Sequence, residues 1–527
     1  SKTKEKMGMG NNKSDYILAK FDVGGIQDYI FATNRLRENA GASYQVTRIM
    51  EEFLLESFRE AADEKNVEVL LDWKLADRLR LPQDERMMAE VIYIGGGNAV
   101  ALFRNLEFFC RVGEKLGIKA AVKCQGVYLT AAYIETDLSD FAADRRRLDQ
   151  EMNEKKKHMI RQLVYSPFPV VEQEDGSHQP ITAQIHYETE SENVTRIQLQ
   201  KRNAYKDIVH YKRLFPVLDN GVSYGYPEEM DQLSREYGED SMVAVVHIDG
   251  NGMGDRMNEL LGEHMGYLEG VPIIRRESKK IAGLFEKTYH EVLQELWDCQ
   301  VLIRGNGTEE ERRIFPLRPI LMDGDDFTFI CRAELAVPIA AGFMMKLLQM
   351  QDGEEKKITA CGGIAFVHSH FPFRVAYSIA EKSCGQAKNA WYEEKKQKRS
   401  AMAVCFLDFQ VIKDSEVGFS LKNRNYQKRP YSLGIDENRT RDNSLESLYD
   451  VLVKMEEDWP SGRLHKMYRA FLEGGHAMEF LKKEFVSRGY KIDNLVSGRW
   501  EDSPLFDALE MQGMCRLDLV NKFLNIQ

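Results

Sequence analysis

The amino-acid sequence predicts an α+β fold that contains one structural unit twice, followed by a helical region. In each copy an apolar strand runs into an aspartate and a glycine-rich turn, at residues 16–25 and 242–254. At nearly the same distance downstream, two apolar segments flank a short turn, at 95–98 in the first copy and 323–326 in the second. Each copy reads strand–helix–strand–strand–helix–strand, the ferredoxin-like arrangement of an antiparallel sheet with helices on one face.

Length and composition indicate a globular protein of several domains. The 527 residues are 43% hydrophobic and 29% charged, which is ordinary for a soluble protein with real cores. The net charge of −11 argues against coating nucleic acid through a global basic field, but it leaves room for a local basic channel. Eight scattered cysteines without a C-x-x-C pair, together with the lack of a long apolar run, predict a cytoplasmic protein with no membrane partner.

The first copy is predicted over residues 15–162. Its opening strand at 16–21 leads into Asp22, and a helix over 43–55 follows with apolar residues at helical spacing. The remaining predicted elements are the hairpin at 95–98, a helix over 105–116, a strand around 120–134 and a charged helix over 140–162.

The second copy is predicted over residues 237–413 and repeats the same order. Its strand at 242–248 ends at Asp249, and a long helix beginning near 278 precedes the hairpin at 323–326. A helix over 333–351, a strand over 357–368, a helix over 372–391 and a strand over 400–412 complete it.

The rest of the chain is divided by composition. We predict a disordered tail at 1–14, an inter-copy insert at 163–236, a linker at 414–440 and a C-terminal helical domain at 441–527. The helical domain is expected to contain helices over 444–457, 463–472 and 476–487. The basic runs at 154–157 and 275–280 are interpreted as solvated helix faces.

Three aspartates of the second copy, Asp249, Asp325 and Asp326, are the candidate catalytic and metal-binding residues. In a ferredoxin-like sheet the first strand and the hairpin are neighbours, so the three carboxylates are expected to converge. Three like charges are costly together unless a cation lies among them, and carboxylate oxygens suit Mg²⁺, which recruits phosphate oxygens as further ligands. Asp-Gly between apolar strands is also the sequence of an ordinary hairpin turn. The metal-site prediction therefore depends on Asp249, which lies at the end of another strand expected to be next to the hairpin. The extra carboxylate, Asp323, is predicted to face solvent.

Glycine-rich turns are the candidate phosphate-binding segments. At the start of a helix, backbone N–H groups and the helix dipole favour anions, although a tight strand-to-helix turn has the same composition. With no acid at Gly97 or Asn98, the first copy is expected to bind a nucleotide without doing chemistry; the alternative is an architectural pseudo-domain. The candidate nucleotide-binding residues are Asn251, Gly252, Met253, Gly254 and Gly324 in the second copy, and Gly24, Gly25, Gly96 and Gly97 in the first.

These motifs resemble the large polymerase-like subunit of type III CRISPR effector complexes. Residues 21–31 are similar to the opening of its first palm domain, and 95–98 to that domain's degenerate hairpin. The second palm of the family carries Gly-Gly-Asp-Asp, whereas residues 323–326 here read Asp-Gly-Asp-Asp. Similar segments at 365–372 and 429–431 follow in the family's order. The resemblance covers roughly residues 15–435 and implies two palm domains.

The resemblance implies a role for each acid. Asp249 and Asp325 hold a divalent metal together with the carbonyl of Gly250. Asp326 binds a second metal or helps to deprotonate the attacking hydroxyl, so that two ions, Mg²⁺ or Mn²⁺, clamp an in-line displacement. Lys388 resembles the lysine that reaches the triphosphate in related cyclases, although an exposed helix lysine is common.

The chain also departs from the family pattern. No His-Asp dipeptide is present, so the resemblance is to a compact form that lacks the N-terminal histidine–aspartate nuclease domain, and DNA cleavage is not expected. The insert at 168–180 has no zinc-binding cysteines. The candidate partners are nucleoside triphosphates, guide-RNA effector subunits or a second copy of the chain.

The function expected from these residues and the resemblance is metal-dependent nucleotidyl transfer. ATP or other nucleoside triphosphates would be converted into a cyclic or short oligonucleotide second messenger in prokaryotic antiviral defence, with the donor on the second copy and the acceptor on the first. Two alternatives stay open: a non-catalytic nucleotide-binding or RNA-effector scaffold with vestigial acids, and a guanine-specific dinucleotide cyclase of the GGDEF type.

Overall fold

The computed structural model divides into two compact units, each with its own sheet. The first unit contains Ser1–Tyr29, Gly41–Lys206 and Gly252–Lys280, and the second contains Ile30–Ala40, Asp207–Asn251 and Ile281–Gln527. The predicted tail at 1–14 lies outside the residues that the structure describes. Those residues are 16–159, 170–186, 191–208, 211, 213–219, 221, 223–233, 241–303, 313–351, 353, 356–396, 403–413, 426–434, 443–496 and 498–524.

The sheet of the first unit has five strands in the order β2–β3–β4–β1–β5. The central strand β1 is antiparallel to both β4 and β5, and β3 forms a hairpin with β4. Without the short edge strand β2, this is the strand order that the predicted connectivity requires. The strands are β1 Tyr16–Gly24, β2 Glu68–Leu70, β3 Met87–Gly95, β4 Asn98–Phe103 and β5 Tyr128–Thr136.

Two helical segments in this part of the chain are longer than the sequence indicated. The predicted helix over 43–55 is the middle of a continuous helical segment in which the π-turn Ile49–Phe53 joins two α-helices. The prediction of strand from about residue 120 was wrong, because the apolar periodicity that includes Leu116 and Ala120 continues the preceding helix. The helices are α1 Ile26–Ile30, α2 Leu36–Arg48, α3 Leu54–Lys65, α4 Leu106–Lys123 and α5 Phe141–Lys157.

The insert between the copies is partly structured. Strands β6 Ile181–His186 and β7 Ser191–Thr195 pair as an antiparallel hairpin, and helix α6 Arg196–Lys206 follows it. Helix α7, Met253–Leu261, and the first part of α8, Tyr267–Asp298, also belong to the first unit.

A buried ion pair corrects one prediction for α8. Arg275, in a run predicted to be solvated, has a side chain only 3% exposed and pairs with the fully buried Glu90 at 2.9 Å. Its guanidinium also donates to the carbonyls of Val91 and Ile92, and the other carboxylate oxygen of Glu90 accepts from two backbone N–H groups. Because both charges are fully hydrogen-bonded, removal of one partner would leave the other buried and cost about 3–5 kcal/mol.

The sheet of the second unit has six strands in the order β13–β12–β11–β8–β10–β9. Four adjacent strands, β11–β8–β10–β9, repeat the arrangement of the first unit: β8 is antiparallel to β10 and β11, and β9 pairs with β10 as a hairpin. β12 extends the sheet parallel to β11, and β13 lies within the segment predicted as a linker, which corrects that prediction. The strands are β8 Met242–Gly250, β9 Leu317–Asp323, β10 Asp326–Arg332, β11 Ala360–His368, β12 Val404–Val411 and β13 Tyr431–Gly434.

Among the described helices of this unit, two pack against the second sheet over much of their length. Helix α9, Ala333–Gln349, carries mostly apolar residues and is buried along most of its length. Helix α10, Phe373–Lys396, lies close to β11, since a Cβ at Gly363 would collide with backbone atoms of Ala380 and Cys384. This close approach fixes α10 against β11, the neighbour of β8. It also brings Lys388 toward the end of β8 that carries Asp249.

The C-terminal region is helical, as predicted. The helices expected over 444–457, 463–472 and 476–487 are present, and two further helices were not foreseen. These helices fall in the same compact unit as the second sheet. The boundary of a separate helical domain at residue 441 therefore stays a prediction. Within the described residues, no helix has the length and apolarity to cross a membrane. The helices are α11 Leu445–Asp458, α12 Ser461–Glu473, α13 Gly475–Ser487, α14 Leu505–Glu510 and α15 Leu517–Leu524.

Candidate functional site

Two of the three candidate aspartates lie directly opposite each other in the second sheet. Asp249 is the next-to-last residue of β8, and its register partner on the adjacent strand is Asp326, the first residue of β10. Directly opposite residues on antiparallel strands have Cβ atoms only about 4.5–5.5 Å apart. The ferredoxin-like strand order therefore brings these two carboxylates together, as the sequence predicted.

The third aspartate lies in the turn between β9 and β10. Gly324 has a φ of 65°, a left-handed conformation that suits glycine, and it precedes Asp325 in this turn. The backbone N–H of Gly250 donates to the carbonyl of Asp325 at 3.0 Å, which ties the turn to the end of β8. The backbone of Asp325 is thus fixed beside the strand end that carries Asp249.

Burial and mutual repulsion raise the pKa of two of these acids. Desolvation first, and then the charges of Asp249 and Asp326, raise the pKa of Asp325 to about 7. Desolvation also raises the pKa of Asp249, and the charge of Asp326 adds to the effect, while Lys388 opposes it. A site that resists carrying its negative charges is one that a cation would stabilise.

Lys388 supplies a cation within the protein itself. Its Nζ lies 2.5 Å from Oδ2 of Asp249, and the two side chains are 27% and 32% exposed. Burial alone would lower the pKa of Lys388, but the carboxylate of Asp249 raises it. The structure therefore pairs Lys388 with the predicted metal ligand.

His247 is a site residue that the sequence analysis missed. It lies two positions before Asp249 on β8, and its Nδ1 is 3.3 Å from Oδ1 of Asp326 and 3.0 Å from Oγ1 of Thr328. Burial alone would lower the pKa of this imidazole, but the carboxylate of Asp326 raises it. Since residues two apart on a strand share one face, the position of His247 relative to Asp249 was the available signal.

The glycine-rich turn leaves the end of β8 toward a helix, as predicted. Asn251 is buried and donates two hydrogen bonds to Thr359. Its backbone N–H donates to the carbonyl at 2.8 Å, and its Nδ2 donates to Oγ1 at 3.0 Å. Gly252 has a φ of 62° and precedes Met253, the first residue of α7. A Cβ at Gly254 would meet no protein atom within 4 Å, so this helix start is open. Such a turn has the geometry to present backbone N–H groups to an anion.

Asp323 is not solvent-facing, which corrects that prediction. Its side chain is only 12% exposed, and its Oδ1 lies 3.7 Å from the guanidinium of Arg213, which also pairs with Glu286 at 2.8 Å. Asp323 is the register partner of Asp326, so an unbalanced charge there would repel the catalytic candidate. Arg213 belongs to the insert, whose contribution local sequence patterns did not reveal.

The first copy has a comparable strand end with different chemistry. Asp22 is the register partner of Asn98, and Nζ of Lys156 lies 2.6 Å from its Oδ2. Lys156 therefore belongs to an ion pair rather than to a purely solvated face, which corrects the interpretation of residues 154–157.

The glycines of the first copy adopt the conformations of tight turns. Gly25, Gly96 and Gly97 have φ values of 67°, 64° and 68°, whereas a Cβ at Gly24 would make only ordinary contacts. A Cβ at Gly97 would collide with the side chain of Ile26, so protein atoms fill the space above this glycine. The predicted nucleotide cradle would have to displace that side chain.

The donor atoms of the second copy fit a hard divalent cation by their chemistry. Carboxylate and carbonyl oxygens are the ligands that Mg²⁺ and Mn²⁺ take, and burial together with the neighbouring carboxylates raises the pKa of Asp325. Across the described part of the chain, however, no group of three or more His, Cys, Asp or Glu side chains has the arrangement of a finished metal site. Together, Asp249, Asp325 and Asp326 have the chemistry for a cation but need side-chain rearrangement to chelate one.

Comparison with solved structures shows the fold to be that of a known protein. The chain is similar to a Csm1–Csm4 cassette in complex with one ATP, with a TM-score of 0.53, 11% identity and coverage of 97% of this chain and 70% of that chain. It is also similar to the cassette in complex with pppApApA, with a TM-score of 0.50, 11% identity and coverage of 94% and 69%.

The same protein occurs in a further match, the Csm1–Csm4 subcomplex in the type III-A CRISPR-Csm interference complex. That match has a TM-score of 0.48, 12% identity and coverage of 97% and 70%. No family model matches the sequence, and no curated protein matches it. The predicted resemblance to the large subunit of type III CRISPR complexes is therefore confirmed for the fold.

Proposed function

We propose that this protein is a metal-dependent nucleotidyltransferase that joins ribonucleoside triphosphates, with ATP as the first candidate, into a cyclic or short oligonucleotide. The observation that carries the proposal is the placement of three aspartates at adjoining strand ends, where the pKa of Asp325 is raised to about 7. Adenine nucleotides are favoured as substrates because the Csm1–Csm4 cassette, which has this fold, forms complexes with ATP and with pppApApA.

Oxygen atoms of the second copy would hold the metal. Asp249, Asp325 and the carbonyl of Gly250 would bind one Mg²⁺ or Mn²⁺, and Asp326 is available to a second. The bound ions supply charge neutralisation for the phosphates and for the oxygen atoms that develop charge during transfer.

The side chains around these acids have separate tasks in each joining step. The step forms a bond from a hydroxyl oxygen of one nucleotide to the α-phosphorus of another, and it breaks the bond to the β-phosphate, so that pyrophosphate leaves. Asp326 either binds the second ion or accepts the hydroxyl proton, and His247, 3.3 Å from the carboxylate of Asp326, orients that carboxylate. The turn at Gly252 and the helix start at Gly254, where a Cβ would meet no protein atom within 4 Å, would bind phosphate through backbone N–H groups, and phosphoryl transfer then depends chiefly on positioning.

The first copy is proposed to bind the second nucleotide without doing chemistry. Its strand-end aspartate, Asp22, is already neutralised by Lys156, and the residue opposite is Asn98 rather than an acid. This arrangement lacks the surplus negative charge that makes the second copy a candidate for metal. A purely architectural role is the alternative, and the Ile26 side chain above Gly97 favours it.

A non-catalytic nucleotide-binding or RNA-effector scaffold is the second candidate function. One observation favours it: Lys388 pairs with Asp249, the first proposed metal ligand. If that pair is permanent, the acids are vestigial and triphosphate binds without turnover. The proposed partners of either form are effector subunits of a type III CRISPR complex or a second copy of this chain, and the proposed setting is antiviral defence.

Substitution of the acids tests the proposal. Asp249→Asn and Asp325→Asn should each lower Mn²⁺-dependent pyrophosphate release from ATP by at least about 100-fold, the loss typical of removing one electrostatic contact from a transition state. Asp323→Asn is the matched control in the same turn, and it should change the rate only a few-fold because its partner is Arg213. Near-parent release by a folded Asp249→Asn or Asp325→Asn variant would contradict the metal assignment.

A further inference from the structure

A lysine pairs with the strand-end aspartate in both copies of the repeated unit. In the second copy Lys388 lies 2.5 Å from Asp249, and in the first Lys156 lies 2.6 Å from Asp22, in each case between Nζ and Oδ2. Both lysines come from the helix that follows the fourth strand of the repeat, α10 in one copy and α5 in the other. The ion pair is therefore a shared property of the repeated unit.

The two copies differ in the number of acids that the lysine faces. Opposite Asp22 in the sheet is Asn98, so Lys156 balances a single nearby strand-end charge. Opposite Asp249 is Asp326, and Asp325 follows from the adjoining turn. One lysine charge therefore faces three acids in the second copy, against a single strand-end acid in the first.

Lys388 holds an oxygen atom that a metal ion would need. Oδ2 of Asp249 accepts a hydrogen bond from the ammonium group of Lys388 at 2.5 Å. A divalent cation bound to the same carboxylate would lie close to that ammonium group. Two cations at such a distance repel each other, most strongly where water is partly excluded. Since the Lys388 side chain is 27% exposed and has a flexible four-carbon stem, it is able to move away.

We infer that Lys388 and the divalent cation compete for Asp249, and that the triphosphate relieves the competition by accepting the displaced lysine. This inference rests on the proposed function, since it takes the second copy as the place where metal and triphosphate meet. The lysine weakens binding of the metal alone and strengthens binding of the metal together with nucleotide. Metal and triphosphate then bind cooperatively, and by linkage each raises the affinity of the other by the same factor.

Binding of Mn²⁺ to the full-length protein tests the inference without any measurement of turnover. The titration, followed by electron paramagnetic resonance of free Mn²⁺, is made with and without a non-hydrolysable ATP analogue. Lys388→Met should bind Mn²⁺ alone about tenfold more tightly than the parent, since tenfold corresponds to the loss of about 1.4 kcal/mol of competition. The analogue should then tighten Mn²⁺ binding less in Lys388→Met than in the parent.

Two control variants separate the charge of Lys388 from other effects of substitution. Lys382→Met removes an exposed lysine from the same helix and should keep the Mn²⁺ affinity of the parent. Lys388→Arg keeps a cation beside Asp249 and should also keep the weaker Mn²⁺ binding of the parent. Tight binding in Lys388→Met alone is the pattern that supports competition.

Equal or weaker Mn²⁺ binding by Lys388→Met, relative to the parent, would overturn the inference and leave the proposed function standing. Asp249→Asn distinguishes the two kinds of failure. If the parent binds no Mn²⁺ that depends on Asp249, even with the analogue present, the proposed metal site itself is wrong and the inference falls with it.

Discussion

At the scale of single residues, the site is defined by three carboxylates with too little positive charge beside them. Lys388 pairs with Asp249, and His247 lies against Asp326, but desolvation and the neighbouring acids still raise the pKa of Asp325 to about 7. The ordinary value for this side chain is 3.8, so the folded protein holds a proton that the unfolded chain releases at much lower pH. This difference makes stability depend on pH in a predictable direction.

The Asp325 carboxyl should lower the stability of the metal-free protein as the pH rises from about 4 to about 7. In this window the folded state holds a proton on Asp325 that the unfolded state has released, so the contribution of this group to the free energy of unfolding falls with pH. Asp325→Asn removes the group, so between pH 5 and pH 8 the parent should lose about 2 kcal/mol more than the variant.

Denaturant unfolding in the presence of a chelator measures this difference. The exposed-carboxylate variant Asp77→Asn is the control and should follow the parent at every pH. Parallel stability profiles for the parent and Asp325→Asn would mean that the carboxyl titrates in its ordinary range and that the site is not short of positive charge.

Residue patterns revealed the acids but not their partners. Asp249 and the acids of the hairpin stand out because each follows or precedes an apolar strand. Arg213, by contrast, reaches Asp323 from a segment with no regular pattern, and Lys156 is one of three consecutive lysines. Such partners depend on packing between elements distant in sequence, which local periodicity does not encode.

At the scale of elements, the strand-to-helix turn and the β9–β10 turn use glycine for different reasons. Gly324 has a φ of 65°, so its role is conformational, whereas Gly254 lies at an open helix start where a Cβ meets no protein atom within 4 Å. Alanine at the two positions should therefore have opposite effects on stability and different effects on ligand binding.

Gly324→Ala should destabilise the protein by about 1–2 kcal/mol, because alanine is strained in the left-handed region.

Gly254→Ala should be neutral or stabilising by up to about 1 kcal/mol, since alanine favours helix. Its affinity for the ATP analogue should nevertheless fall about tenfold, the effect of losing one hydrogen bond to a charged phosphate. Calorimetry of unfolding and of binding gives both quantities. Unchanged nucleotide affinity in Gly254→Ala would reduce this turn to a structural connection.

Element boundaries were predicted best where a single apolar periodicity, of a strand or of a helix, continues through the whole element. Strand β8 and helices α11 to α13 lie close to their expected positions. The helix α4 was cut short in the prediction because its last turn, ending at Lys123, is followed by a strand rich in similar residues. Strand β13 was missed since four residues carry too little pattern, and its identity as a strand depends on pairing with β12.

At the scale of the whole molecule, one plan occurs twice, and only the second copy carries acids in its hairpin. The strand orders of the two sheets agree with that duplication, and proteins with this fold have been crystallised with ATP and pppApApA. The repeated connectivity was predictable because each copy repeats its sequence of elements. We therefore propose that the two copies have different functions: the second copy carries out the chemistry, and the first binds a nucleotide.

The measurement that tests this account most directly is mass spectrometry of the products formed from mixed ribonucleoside triphosphates with Mn²⁺. The parent protein is predicted to yield pyrophosphate and a cyclic or short oligonucleotide containing adenosine, and Asp325→Asn is predicted to yield neither while remaining folded. Intact triphosphates after incubation with parent protein that demonstrably binds ATP and Mn²⁺ would contradict catalysis and leave the scaffold function.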